Sequence, residues 1–186
     1  MKIKQVLEAL EQFAPLPLQE SWDNAGLQIG LTEAEVSGAL LCVDVTERII
    51  DEAVQRGCNL VVSHHPLLFR GLKQVAGQNY VQRTVMKAIK SDVAVISMHT
   101  NLDSAPGGVN FKIAERLGLN SVHFGDSAPA LAGSAPGSDT PPTGTAPAPA
   151  VSGLGGSPAE KGQWVMGELK EPMVSCDFVL HVKRQL

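Results

Sequence analysis

Three short apolar segments, each separated from the next by a helical pattern, most constrain what this chain can fold into. The segments are GALLCVDV at 38–45, NLVVS at 59–63 and VAVISM at 93–98. Their apolar residues fall on both faces, which is typical of strands in a parallel sheet that is covered by helices on both sides. The alternation therefore predicts an α/β fold, namely a three-layer sandwich with a largely parallel sheet.

Apolar residues at helical spacing surround these segments and supply the covering layers. The predicted helices span Ile3 to Phe13, Ile49 to Val54, Val81 to Ile89 and Phe111 to Leu117. Thr46 is placed to cap the second of these helices, and Gly118 is placed to end the fourth.

The composition changes sharply at 127–160, where almost every residue is Ser, Ala, Pro, Gly or Thr. Such a segment buries too little apolar surface to offset the conformational entropy lost on ordering, so we predict a disordered linker. The linker separates an α/β domain at 1–126 from a strand and a helix at 161–186. A single strand and helix cannot form a domain, so we expect 161–186 to be the beginning of a second, incomplete α/β unit.

Composition and charge exclude several classes of function. The chain has 186 residues, a formal charge of −4 and a pI of about 5.7, so it lacks the cationic character of a nucleic-acid-binding protein. No apolar run is long enough to cross a bilayer, and the first residues lack the apolar core of a signal peptide. Cys42, Cys58 and Cys176 lie far apart, which favours reduced thiols in a cytoplasmic protein.

Metal-ligating side chains follow two of the predicted strands. His64 and His65 come directly after the second strand, and His99 and Asp103 follow the third. Ligands collect outside the carboxyl ends of parallel strands, so we expect these side chains to share one rim of the sheet. Histidine and carboxylate are donors that Zn²⁺, Mn²⁺ and Fe²⁺ prefer, and the sequence therefore predicts a metal-binding domain.

The adjacency of the two histidines restricts how they can bind metal. Side chains of neighbouring residues in a regular strand point to opposite faces, so His64 and His65 could not share one ion there. Pro66 prevents the strand from continuing as an interior ladder. At a strand terminus the two rings can serve different ions of a pair about 3.5–4 Å apart, with Asp103 binding alongside. The alternative is that the two histidines are only surface or hydrogen-bonded residues, as we expect for His123 and His181.

The stretch SWDNAGLQIG at 21–30 is polar at its centre. Its composition favours a turn in which Asp23 or Asn24 hydrogen-bonds the backbone. A contact to substrate is the alternative interpretation.

Four stretches of the chain occur in the same order in one protein family: SWDNAGLQIG, the strand with SHHP, MHTNLDSAPGGVN, and GELKEPM with its following helix. On these motifs the chain resembles the GTP cyclohydrolase 1 type 2 homologues, also called the Nif-three-like family. The resemblance covers nearly everything outside 127–160. It implies a dinuclear site with two divalent ions per subunit (Zn, Mn or Fe), for which the metal ligands are His64, His65 and Asp103. It implies that His99 lies near the site without being a ligand.

The resemblance also implies a homo-oligomer, a hexamer in the family, that acts on a small-molecule substrate of unknown identity. Relatives supply a further histidine and glutamate, four residues apart, beyond the position of Leu186. The chain is therefore expected to be C-terminally truncated, with half a site. Two functions follow as hypotheses: a metal-dependent hydrolase that acts through metal-activated water, or a non-enzymatic metal-binding or interaction protein with an incomplete dinuclear site. No catalytic general base is evident from the sequence.

Overall fold

A computed structural model of the chain describes residues 1–125 and 162–186. The predicted disordered linker at 127–160 therefore lies outside the described residues. The helices are α1 (Ile3–Phe13), α2 (Glu47–Gln55), α3 (Tyr80–Lys90), α4 (Thr100–Asp103), α5 (Val109–Leu117) and α6 (Ser175–Gln185), and a short 3-10 turn spans Leu16–Leu18. The strands are β1 (Gly26–Ile29), β2 (Ala39–Cys42), β3 (Leu60–Ser63), β4 (Ala94–Ser97), β5 (Leu119–Phe124) and β6 (Val165–Leu169).

The central sheet has four strands in the order β1-β4-β3-β2. Strands β2, β3 and β4 are parallel, as predicted, and β1 adds an antiparallel edge beside β4. Sequence reasoning had assigned the stretch that contains β1 to a turn. The strand forms because Leu27 and Ile29 of this stretch bury against the sheet. The predicted α/β fold with a largely parallel sheet is confirmed.

Helices cover both faces of this sheet and make the predicted three layers. On one face, Ile50 of α2 and Val85 of α3 pack with the inward residues of β3 and β4. On the other face, Ile3 of α1 packs with Leu60 and Ile96. The helix layer on this second face does not extend over β2. There the side chain of Leu41 points away from α2 and α3, and 77% of the residue is exposed. The sheet is thus covered on both faces at its centre but on one face only at the β2 edge.

A second, smaller sheet is formed by two strands, one from each side of the undescribed segment. Strand β5 pairs antiparallel with β6, with Leu119 opposite Leu169 and Phe124 opposite Val165. Helix α5 precedes β5 and ends at Gly118, whose φ of 73° is the left-handed conformation that suits glycine at a helix end. Helix α6 packs on α5, so residues on the two sides of the undescribed segment are in contact. The second α/β unit expected at 161–186 stays a prediction.

The described part of the chain contains no helix that is both long enough and apolar enough to span a membrane.

Candidate metal centre

The candidate site forms where β3 and β4 end side by side. The parallel register places Ser63 directly opposite Ser97, and these are the last residues of the two strands. Ser97 Oγ donates a hydrogen bond of 2.8 Å to the backbone oxygen of His64, and Ser63 Oγ donates one of 3.0 Å to that of His65. The two serines therefore fix the backbone that carries both histidines.

The main chain of the two histidines continues along the end of β2. The N–H of His64 donates to the oxygen of Cys42 at 3.1 Å, and the N–H of His65 donates to that of Val43 at 2.9 Å. The imidazole rings nevertheless lie on the same side, with centroids 5.0 Å apart. The backbone after Ser63 therefore departs from regular strand geometry. In a regular strand, the rings of His64 and His65 would point to opposite faces of the sheet.

His99 completes a cluster of three imidazoles, which we call the histidine cluster (His64, His65 and His99). Its ring centroid is 5.2 Å from that of His64 and 5.6 Å from that of His65. One ring nitrogen from each of the three residues lies within 4.8 Å of the others. His99 belongs to this group of potential ligands by geometry, although the family resemblance implies only that it lies nearby.

Each ring of the histidine cluster has its Nδ1 atom in a hydrogen bond. Nδ1 of His64 lies 3.0 Å from the backbone oxygen of Met98, and Nδ1 of His65 lies 2.8 Å from Oδ1 of Asp44. Nδ1 of His99 lies 2.9 Å from Oδ1 of Asp23. All three partners are acceptors, so each Nδ1 carries a proton, and in the neutral ring Nε2 offers a lone pair.

Asp103 stands at the end of α4, next to the histidine cluster. Its Oδ2 atom is 3.9 Å from Nε2 of His64, which is too far for a hydrogen bond. The N–H of Asp103 donates to the backbone oxygen of His99 at 3.2 Å, so the same turn of chain carries both residues. The residues predicted from the sequence, His64, His65 and Asp103, therefore converge at one rim, and His99 lies among them.

Two further carboxylates lie at the site, and their contacts with the histidines were not predicted from the sequence. Asp44 follows β2 and reaches the rim for the same reason as the histidines, since it also comes after the carboxyl end of a strand. That position was the signal that would have revealed it. Asp23 accepts from the backbone N–H of the adjacent Asn24, a local contact of the kind that the turn interpretation expects, but its contact with His99 spans 76 positions and has no local signature.

The ionisation of Asp23 is determined by its hydrogen bonds. Burial by itself would raise the pKa of this carboxyl, but bonds donated by Thr100, His99 and Asn24 outweigh that effect and hold its pKa below the ordinary value. Asp23 is therefore an anion that accepts hydrogen bonds on both oxygens.

Aromatic rings form one wall of the site. Trp22 lies 6.2 Å from His99 and 5.9 Å from Phe69, measured between ring centroids, and Phe69 lies 6.4 Å from His99. Trp22 and Phe69 are both substantially exposed, so they present an apolar surface beside the polar cluster.

The remaining histidines make structural contacts. His123 bonds the backbone oxygen of Ser121 within β5 at 2.8 Å, and Nε2 of His181 donates to the oxygen of Leu117 at 2.9 Å. Neither belongs to the histidine cluster.

Cys42, at the end of β2 beside the site, should be an unreactive thiol. Burial, and secondly the charge of Asp44, raise its pKa, which lowers the fraction of reactive thiolate near neutral pH. We expect iodoacetamide to label Cys42 more slowly than the exposed Cys176, with a pH midpoint above the ordinary thiol value. Mass spectrometry of labelled peptides across pH measures both rates, and equal labelling near neutral pH would contradict the expectation.

Comparison with known sequences identifies curated relatives of this chain. The GTP cyclohydrolase 1 type 2 homolog of Staphylococcus aureus strain COL is 40% identical over 122 residues. The match covers 66% of this chain and 33% of that relative. The chain therefore spans about a third of the length of the curated relatives it matches.

Solved structures show the same fold. Protein SA1388 of Staphylococcus aureus superimposes with a TM-score of 0.63 at 40% identity, covering 67% of this chain and 35% of that chain. A Bacillus cereus protein related to NIF3 gives 0.63 at 38% identity, with 67% and 34% covered. Reduced HcgD from Methanocaldococcus jannaschii gives 0.61 at 30% identity, with 67% and 50% covered.

The sequence profile of one family matches the whole chain. The motifs, the fold and the relatives described above are consistent with this match. The profile is that of Duf34/NIF3 (NGG1p interacting factor 3), and it matches residues 1–186. The chain therefore belongs to the Duf34/NIF3 family.

Proposed function

We propose that this chain binds divalent metal ions through His64, His65 and Asp103 and acts as a metal-dependent hydrolase. The observation that carries the proposal is the orientation of the imidazoles. Every Nδ1 atom of the histidine cluster bonds an acceptor, which leaves the Nε2 atoms free. Protein-bound metals are typically held by histidines whose other nitrogen is fixed in this way.

The donor set fits a divalent cation. Neutral imidazole nitrogens and a carboxylate oxygen suit Zn²⁺, Mn²⁺ and Fe²⁺, and the family resemblance favours two ions. The 3.9 Å between Nε2 of His64 and Oδ2 of Asp103 leaves both atoms facing one space without a bond between them. When bound, the metal would supply a Lewis acid and activate water for hydrolysis.

The chain's own residues have separate roles in this proposal. His64, His65 and Asp103 hold the metal, and Ser63 and Ser97 fix the backbone beneath the two histidines. The exposed aromatic wall is positioned to shield one side of a small-molecule substrate from water. The hydrolase assignment is supported by the name of the relatives, GTP cyclohydrolase 1 type 2 homolog, so GTP is the first substrate to test.

A second candidate is a non-enzymatic metal-binding or interaction protein with an incomplete dinuclear site. The observation in its favour is the openness of the cluster, since half of the His65 side chain and 70% of the Asp44 side chain are exposed. Metal held at such a site exchanges readily with solvent, and its water is less well oriented for catalysis.

Metal content and turnover distinguish these candidates. The chain is purified without added metal, its metal is counted by mass spectrometry, and GTP hydrolysis is followed with Zn²⁺, Mn²⁺ or Fe²⁺ added. The hydrolase proposal requires bound divalent metal and metal-dependent turnover of a substrate. Bound metal without turnover would favour the second candidate, and a chain without affinity for any of the three ions would refute metal binding.

The quaternary structure and location implied by the resemblance belong to the same proposal. A homo-oligomer, up to a hexamer, is supported by the apolar surface of Leu41 and Val43 at the β2 edge. Light scattering of the purified chain measures the oligomeric state.

A cytoplasmic location is supported by Cys42, Cys58 and Cys176, all of which are free thiols.

A further inference from the structure

Asp23 is a buried carboxylate behind the histidine cluster, and metal binding by His64, His65 and Asp103 leaves it without a role. None of its side-chain surface is exposed. Burying an ionised carboxylate is costly unless hydrogen bonds compensate for the lost hydration. A carboxylate kept at such a position, in contact with a potential metal ligand, indicates a function beyond that of an ordinary turn.

Every hydrogen bond of the Asp23 carboxylate is with a donor. Oδ1 accepts from the N–H of Asn24 at 2.6 Å and lies 2.9 Å from Nδ1 of His99. Oδ2 accepts from the N–H of Thr100 at 3.1 Å, and the hydroxyl of Thr100 also donates to it. That hydroxyl is oriented in turn, because it accepts from the N–H of Glu20 at 2.9 Å. Since the carboxylate accepts every one of these bonds, the proton between Asp23 and His99 resides on Nδ1.

We propose that Asp23 is a positioning residue that holds His99 in the Nδ1–H tautomer and thereby presents Nε2 of His99 to the histidine cluster as a third imidazole donor. This inference rests on the proposed function and deepens it. It assigns His99 a direct role at the metal and Asp23 a role through His99.

The surroundings of His99 support this role because they fix the ring from several directions. Asp23 bonds one edge of the ring, and Trp22 packs edge-on against it with an interplanar angle of 75°. The backbone oxygen of His99 accepts from the N–H groups of Leu102 and Asp103. A ring fixed in this way loses little further freedom when Nε2 binds a metal, which favours affinity.

Asp44 provides a matched comparison on the other side of the cluster. It makes the same contact with His65 at 2.8 Å, but most of its side chain is exposed. Water can replace an exposed acceptor, so removing the charge of Asp44 should disturb its histidine less than removing that of Asp23. Asp51, which pairs with Lys87 on the surface of α2 and α3, serves as a distant control.

The first test uses the metal-free chain and records the tautomer of each imidazole by long-range ¹H–¹⁵N NMR, at a pH of ~8.5, which is above the reference range of imidazole titration. We expect His99 to carry its proton on Nδ1. In Asp23→Asn, the amide can donate to Nδ1 and favour the wrong tautomer, so the Nε2–H form should increase. A wild-type His99 with its proton on Nε2 would overturn the proposal even if the variant failed to fold.

The second test measures affinity for Zn²⁺ alone by competition with a chromophoric chelator. We expect Asp23→Asn to weaken binding by about 10- to 100-fold, Asp44→Asn by less than ~10-fold, and Asp51→Asn not at all. Thermal denaturation checks that each variant is folded. A wild-type chain that binds no Zn²⁺ would overturn the proposed function. A chain that binds Zn²⁺ equally well with and without Asp23→Asn, at an unchanged tautomer, would overturn only the role of Asp23.

Discussion

Replacing His64 by alanine is expected to lower the affinity for Zn²⁺ by more than about 100-fold, a loss larger than that of removing a supporting contact. His64 is central to the site, because its ring is within 5.2 Å of both other imidazoles and its Nε2 faces Asp103. No neighbouring side chain replaces the lost nitrogen, so the remaining donors hold an ion weakly. Competition with a chromophoric chelator measures the change.

The fold should survive this substitution, since the side chain of His64 lies at the rim and 26% of it is exposed. The melting temperature of His64→Ala should therefore stay close to that of the wild type. His123→Ala is the matched control, because that histidine bonds only its own strand. Wild-type affinity in His64→Ala, or an equal loss in His123→Ala, would show that the histidine cluster is not the metal site.

Replacing Gly108 by alanine is expected to destabilise the fold by about 2–3 kcal/mol, the cost of inserting a methyl group where there is no room. A Cβ atom at residue 108 would collide with the backbone oxygen of Leu102 and lie 2.9 Å from that of Ala105. Both obstacles are backbone atoms, which cannot move aside as a flexible side chain can. Urea denaturation measures the loss as a shift in midpoint at constant slope.

Gly108→Ala should also weaken metal binding, because Leu102 precedes Asp103 and their shared backbone must move. Gly71→Ala is the control, since a Cβ there meets no atom within 4 Å and the backbone does not require glycine. That variant should stay within about 0.5 kcal/mol of the wild type. If Gly108→Ala were as stable as Gly71→Ala, the close contact between residue 108 and the backbone oxygen of Leu102 would be contradicted.

The centre of the fold could be predicted from the sequence, but its edges could not. Strands β3 and β4 are apolar on both faces and are separated by one amphipathic helix, so few parallel arrangements were open to them. Strand β1 has only four residues, begins with glycine and follows polar residues, and these features resemble a turn. The pairing of β5 with β6 joins segments on either side of residues 126–161, and no local pattern specifies that partnership.

The candidate site divides in the same way. His64, His65 and Asp103 could be proposed because each follows the end of a strand or belongs to a family motif. The partners of their rings could not, because the bond of His64 to Met98 spans 34 positions and that of His99 to Asp23 spans 76. Such contacts depend on how loops meet at the rim, which hydrophobic periodicity does not encode. The role of each residue as a metal ligand stays a prediction until metal binding is measured.

The direct pairing of Ser63 with Ser97 would link metal uptake at the proposed site to the order of events in folding. A slip of one residue between β3 and β4 would place the side chains at the end of one strand on the face opposite to those of the other strand. An ion would then find imidazoles from one strand only. Because β3 and β4 are distant in sequence, their alignment follows closure of the chain between them. The rate of zinc binding during refolding would therefore report the rate at which β3 and β4 reach their native register.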